Sequence, residues 1–155
     1  MVLHVVAVGR VSDVSLRAAC ADYAARVRRV WSLEVREVRS PAGRFSPSER
    51  ARREGERLLA ALPPGVLAVA LTPTGRRETS EGFARRLAEW QANGRSIAFV
   101  LGGADGLDTQ VIQRCELALS LSPLTFPHEL ARLILLEQLY RGATILRGTP
   151  YHRGQ

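Results

Sequence analysis

The sequence contains no lysine. All 22 basic residues are arginines, set against 15 acidic ones for a net charge of +7. Without lysine there is no Schiff-base amine and no residue to complete a phosphate-binding P-loop. Cysteine is nearly absent too: Cys20 and Cys115 lie far apart, outside any CxxC or His-Cys cluster, which predicts buried reduced thiols and gives no metal site to propose. No apolar run approaches the length of a membrane span. The N-terminal run at residues 2–8 has no basic stretch before it and no small-residue cleavage pattern after it, so it reads as a strand rather than a signal peptide. A cytoplasmic protein is expected.

What is present fits one domain over residues 1–155, long enough for a single sizeable core. The basic balance favours a polyanionic partner, of which nucleic acid is the commonest. β-Branched residues at 2–8 predict a first strand ended by Gly9. His4, alone inside it, is given no role. Ser12 or Asp13 can cap a helix to about Val30, and alternation over 33–39 predicts a half-exposed strand near a sheet edge. A loop with Pro41, Gly43 and Pro47 leads to a helix over 48–62 whose arginines and glutamates, Glu54 among them, read as a solvated face. A third helix follows Thr79, and Asp108 can cap a short one through Arg114. Strands alternating with helices argue for an α/β sheet flanked by helices.

Three apolar runs share one ending. Residues 66–71 meet Thr72-Pro73-Thr74-Gly75, residues 97–101 meet Gly102-Gly103-Ala104-Asp105-Gly106, and residues 117–121 meet Ser122-Pro123-Leu124-Thr125-Phe126-Pro127. Continuous apolar runs are strands buried on both faces, and ligands of parallel sheets gather at their carboxyl ends. Three stiff loops at one sheet edge predict a pocket for one ligand. From Glu129 to about Leu146 apolar residues point nearly all round a helix, which calls for cover from the sheet and from a second copy of the chain. Glu137 and Arg141, spaced i, i+4, can pair. Arg132 lacks such a partner and is expected to want an anion. The terminal Tyr151-His152-Arg153 places a stacking ring, an imidazole and a guanidinium in three consecutive residues, types that RNA sites use.

Val6-Ala7-Val8-Gly9, Leu101 to Leu107, Leu121 to His128, Glu137-Gln138-Leu139-Tyr140-Arg141 and Pro150-Tyr151-His152-Arg153, taken in order over essentially the whole chain, resemble the ribosomal RNA large subunit methyltransferase H family. The resemblance implies a SPOUT-type α/β fold, largely parallel and flanked by helices, with a C-terminal trefoil knot. It also implies a homodimer, S-adenosyl-L-methionine (SAM) as methyl donor, and N3 of a pseudouridine in 23S rRNA of the large ribosomal subunit as acceptor. Carried across by position, the cofactor contacts fall at Leu71, Gly102, Gly103, Ser122, Pro123, Leu124, Thr125, Phe126 and Pro127, the three loops reached independently above. Glu129 stands where many members have an apolar residue or proline.

On that reading Gly102 and Gly103 let the backbone approach the cofactor, and a side chain there fills the pocket. Arg132 and Arg153 are the candidates for phosphate or developing ring charge, His128 and His152 for proton handling, and Tyr151 for stacking. A dinucleotide oxidoreductase is disfavoured, because the first strand ends Val8-Gly9-Arg10-Val11 without a GxGxxG turn. A noncatalytic RNA- or ribosome-binding factor accounts for the charge and the tail but needs no ligand-shaped loops.

Overall fold

The computed structural model describes residues 1–153, the His152 side chain apart. Five strands form one parallel sheet: β1 (Val2–Val8), β2 (Ser32–Val38), β3 (Leu67–Arg77), β4 (Ile97–Leu101) and β5 (Leu117–Ser120), in the order β2-β1-β4-β3-β5. Between and after them run α1 (Val14–Arg28), α2 (Pro47–Ala60), α3 (Ser80–Ala92), α4 (Thr109–Arg114) and α5 (His128–Leu146), with a short 3-10 turn at Pro150–Arg153.

Period two explains how the helices divide. Leu3, Val5 and Ala7 of β1 and Ile97, Phe99 and Leu101 of β4 point to one face, where they pack with α1, α3 and α5; Val6, Val8, Ala98 and Val100 point to the other, under α2 and α4. Because both faces are covered, β4 must be apolar at every position, and it is fully buried. Phe99 centres the larger cluster, meeting Phe83 and Trp90 edge-on at centroid distances of 6.0 and 6.3 Å. Truncating such a ring costs about 3–5 kcal/mol. β2 is the edge strand that its alternation indicated, with only Leu33 buried.

Local capping follows the sequence closely. Asp13, Ser46, Thr79 and Asp108 each accept a backbone N–H at the start of α1, α2, α3 and α4. β3 departs from expectation. It does not stop at Leu71 but runs on to Arg77, and Leu71 and Arg76 both pair with Leu119 of β5. Thr72-Pro73-Thr74-Gly75 is therefore a bulge looped out of a continuing strand rather than a strand end. Gly75 allows the return, since a Cβ there would lie 2.6 Å from the Leu119 carbonyl carbon.

α5 lies between α1 and α3 against the sheet, burying Leu135, Leu136, Leu139 and Ala143. Leu130, Leu133, Ile134 and Tyr140 remain half-buried on its remaining surface. Its start is tied to the start of α1: the Glu129 carboxylate accepts the Ser12 N–H at 2.7 Å, the Ser12 hydroxyl at 2.8 Å and the Asp13 N–H at 3.3 Å. These donors, the Ser12 backbone first, hold the Glu129 carboxyl below its ordinary range.

Candidate active site

Because β3, β4 and β5 are parallel, the bulge in β3 and the segments that leave β4 and β5 lie at one edge of the sheet, and there they enclose a cavity of about 260 Å³. Leu71, Thr72 and Pro73 form one wall, the turn from Leu101 to Leu107 a second, and Leu121, Ser122, Leu124, Thr125 and Phe126 a third. His128 and Ala131, on the first turn of α5, complete it. The third loop is stiffened by the Leu124 N–H donating to the Ser122 hydroxyl at 3.1 Å, and Leu124 itself stands 70% exposed. The second is closed by the Gly106 N–H donating to the Gly103 carbonyl at 3.1 Å.

Of the nine residues assigned to the cofactor from the sequence, seven line this cavity: Leu71, Gly102, Gly103, Ser122, Leu124, Thr125 and Phe126. Pro123 and Pro127 shape the loop from its exposed side without lining it. The two glycines line the cavity and are also confined from behind. A Cβ on Gly102 would lie 2.5 Å from the carbonyl of Gly106, and one on Gly103 would lie 2.9 Å from Glu54 Oε2. Side chains there would strike the turn itself and the carboxylate behind it before they filled the ligand space. Glu54 went unnoticed in the sequence because charged neighbours surround it; its spacing with Ala51, Gly55 and Leu58, all on the buried side of α2, was the available signal.

Arg132 is not at the cavity. It is 3% exposed, and it donates to Glu37 Oε1 of β2 at 2.6 Å and to the Gly9 carbonyl at 2.8 Å. The anion it requires is built into the fold. Cys20, nearby, is a buried free thiol whose pKa burial pushes up against the opposing influence of Arg132.

The tail also lies elsewhere. Tyr151 packs edge-on to Tyr140 at 4.8 Å, shares a 3.0 Å hydrogen bond with the Tyr23 hydroxyl and donates to Glu137 Oε1 at 3.2 Å. Arg141, paired with Glu137 as its spacing indicated, sits over the Tyr151 ring at 5.0 Å. Burial first, then the Tyr23 hydrogen bond, push the Tyr151 phenol above its usual range. From His128 to Tyr140 the helix advances roughly 18 Å at 1.5 Å per residue, so Tyr151 and the exposed Arg153 are not brought to the cavity of their own chain. The His152 imidazole lies outside the described residues.

A parallel sheet with a three-loop cavity at its carboxyl edge fits several α/β enzymes, and comparison with known proteins decides among them. A family model described as "Predicted SPOUT methyltransferase" matches residues 1–152. The chain belongs to the SPOUT methyltransferase family. Similar relatives include a Gemmatimonas aurantiaca protein named ribosomal RNA large subunit methyltransferase H, 45% identical over 147 residues, 94% of this chain and 96% of that one. An Anaeromyxobacter protein of the same name is 44% identical over 153 residues, covering 99% of this chain and all of the relative. A crystal structure of a methylase-family protein from Neisseria gonorrhoeae shares the fold, with a TM-score of 0.52 and 14% identity over 90% of this chain and 81% of that one. For a SPOUT chain, the cavity's composition is informative. The protein carries net charge +7, yet among the described residues no arginine lines the cavity, and His128 is its only titratable side chain.

Proposed function

We propose that this SPOUT chain transfers a methyl group from SAM to N3 of a pseudouridine in 23S rRNA of the large ribosomal subunit, acting in the cytoplasm as a homodimer with the C-terminal segment threaded as a trefoil knot. The convergence of three loops on one cavity carries the reading, and the names of relatives that match nearly end to end support large-subunit ribosomal RNA as the substrate class, the pseudouridine N3 resting on the family resemblance. The residues present fit the cofactor. Leu71, Leu101, Leu121 and Phe126 offer apolar walls to an adenosyl group, and Thr72, Ser122 and Thr125 offer polar atoms. A cavity without arginine in an arginine-rich protein suits a cation.

When bound, SAM supplies an activated methyl on a positively charged sulfur. The chain's own task is then to hold the acceptor nitrogen in line with that methyl, to exclude water and to manage the N3 proton. His128, at the cavity wall, is the group placed to take or relay that proton. Negative charge that develops on the uracil ring as the proton leaves is met by a guanidinium, and Arg153 is the exposed candidate. Arg132 acts by fixing the β1 and β2 ends to α5 rather than by touching substrate. Because Tyr151 and Arg153 lie along α5 from their own cavity, they serve the cavity of the second protomer, and the half-buried Leu130, Leu133 and Ile134 supply apolar surface for that partner. The acceptor strand is bound by stacking on Tyr151 and by the phosphate affinity of the arginines.

Mass mapping of 23S rRNA from a deletion strain tests the reaction: a pseudouridine that loses one methyl and regains it with the wild-type gene supports it. An unchanged pattern defeats it in favour of a noncatalytic ribosome-binding factor. Sharing of the site is tested by mixing subunits lacking residues 150–155 with Ala131→Phe subunits, in which the added ring fills the cavity. Heterodimers should regain one working site; no recovery rules sharing out.

A further inference from the structure

Glu54 is the one acidic residue fully buried among the described residues, at 3% exposure. One carboxylate oxygen accepts the Ser40 hydroxyl at 2.6 Å, and Ser40 in turn accepts from Arg50 at 3.1 Å. The other oxygen, Oε2, is buried with no hydrogen-bond partner. It lies directly behind Gly103, close enough that a Cβ on that residue would come within 2.9 Å of it. The position is held tightly. The next residue, Gly55, lets α2 approach α4 so closely that a Cβ there would lie 2.7 Å from Val111 Cγ2.

An acid buried with one oxygen unpaired is costly and calls for a compensating positive charge. The space on the far side of Gly103 is the cavity, which contains no carboxylate of its own among its lining residues. We propose that Glu54 is a specificity-determining residue whose charge, acting through the thin glycine turn at Gly103, favours a cationic occupant of the cavity over a neutral one. Glycine at position 103 leaves only backbone, and no side chain, between the carboxylate and the cavity, so the field reaches the ligand with only partial screening.

The inference rests on the SAM reading above and sharpens it. SAM carries net charge +1; S-adenosylhomocysteine, left after methyl transfer, has lost the sulfonium and is neutral. A negative charge behind the turn therefore holds the donor and releases the product. Ser40 and Arg50 place the carboxylate, and the β2–α2 loop that carries Ser40 thereby bears on the cavity from outside.

Calorimetric titration of the full chain with SAM and with S-adenosylhomocysteine measures the effect. The expected result is a preference for SAM of about tenfold in the wild type, the scale of one partly screened charge pair, that falls to about onefold in Glu54→Gln through loss of SAM affinity alone. A purely structural role for Glu54 weakens both ligands by the same factor, and that outcome overturns the proposal. Should Glu54→Gln fail to fold, the wild type decides the matter with sinefungin, whose amine places a positive charge where the transferred methyl stands, next to the sulfur position. Sinefungin should bind more tightly than S-adenosylhomocysteine, and equal or weaker binding overturns the proposal. A wild type that binds none of the three ligands defeats the SAM reading itself, a result distinct from either of these.

Discussion

The two ends of α5 use the same kinds of residue for opposite purposes. At the first end Glu129 and Arg132 bond within the chain, one holding Ser12 and Asp13 just before α1 and the other bridging Glu37 of β2 and the Gly9 carbonyl after β1, while His128 and Ala131 face the cavity. At the far end Glu137, Arg141, Tyr140 and Tyr151 form a half-exposed cluster with Tyr23. Charge at the first end is buried with Arg132, and charge at the second is only partly covered. A charged residue next to an active site is thus not by that fact part of its chemistry, and burial tells which is which.

The contrast is broken most sharply by deleting its two arginines. Arg132→Ala leaves Glu37 and the Gly9 carbonyl without their donors and opens space in the core; a loss of about 3–5 kcal/mol is expected in urea unfolding. Arg141→Ala at the other end removes a partly exposed i, i+4 pair and should cost about 0.3–1 kcal/mol in the same measurement. Equal losses would erase the distinction between the ends. If Arg132 instead acts on substrate, Arg132→Ala will keep its stability and lose only methyl transfer.

Smaller effects sharpen the picture. Tyr151→Phe removes a donor to Glu137 and should lower stability by about 0.5–1.5 kcal/mol, while methyl transfer should be largely kept, because the ring that stacks remains and only Tyr151→Ala removes it. Glu129, whose folded carboxyl titrates below its ordinary value of 4.5, contributes stability above that value that is lost as pH falls through the lower folded one. Thermal melting followed from pH 6 to pH 3 should accordingly show less acid sensitivity in Glu129→Gln than in the wild type. Identical pH profiles would show that the Glu129 contacts to Ser12 and Asp13 carry no charge-dependent stability.

Much of this molecule is legible in its sequence because periodicity and turn chemistry are local. All five strands, the edge position of β2, the caps of α1, α3 and α4 and the three loops around the cavity follow from spacing, from single capping residues and from apolar runs stopped by glycine or proline, whereas the Ser46 cap that starts α2 at Pro47 did not stand out. Contacts between distant segments are not written that way. The partner of Arg132 lies 95 residues away in sequence, so its expected hunger for an anion was right about the physics and silent about the source. That Gly103 backs onto Glu54 as well as lining the cavity is likewise a contact between distant segments, and Glu54 stands in a charged stretch that reads as solvated. The bulge at residues 72–75 was invisible because Pro73 and Gly75 signal a turn without saying whether the strand resumes.

The central claim is that the loops after β4 and β5 and the bulge in β3 hold one SAM molecule between them. Calorimetric titration of SAM into the wild type and into Ala131→Phe, each shown to be folded by its melting transition, tests it most directly. One site per chain in the wild type and none in the variant is the predicted result. Equal binding to both proteins would place the cofactor somewhere other than this cavity and contradict the account.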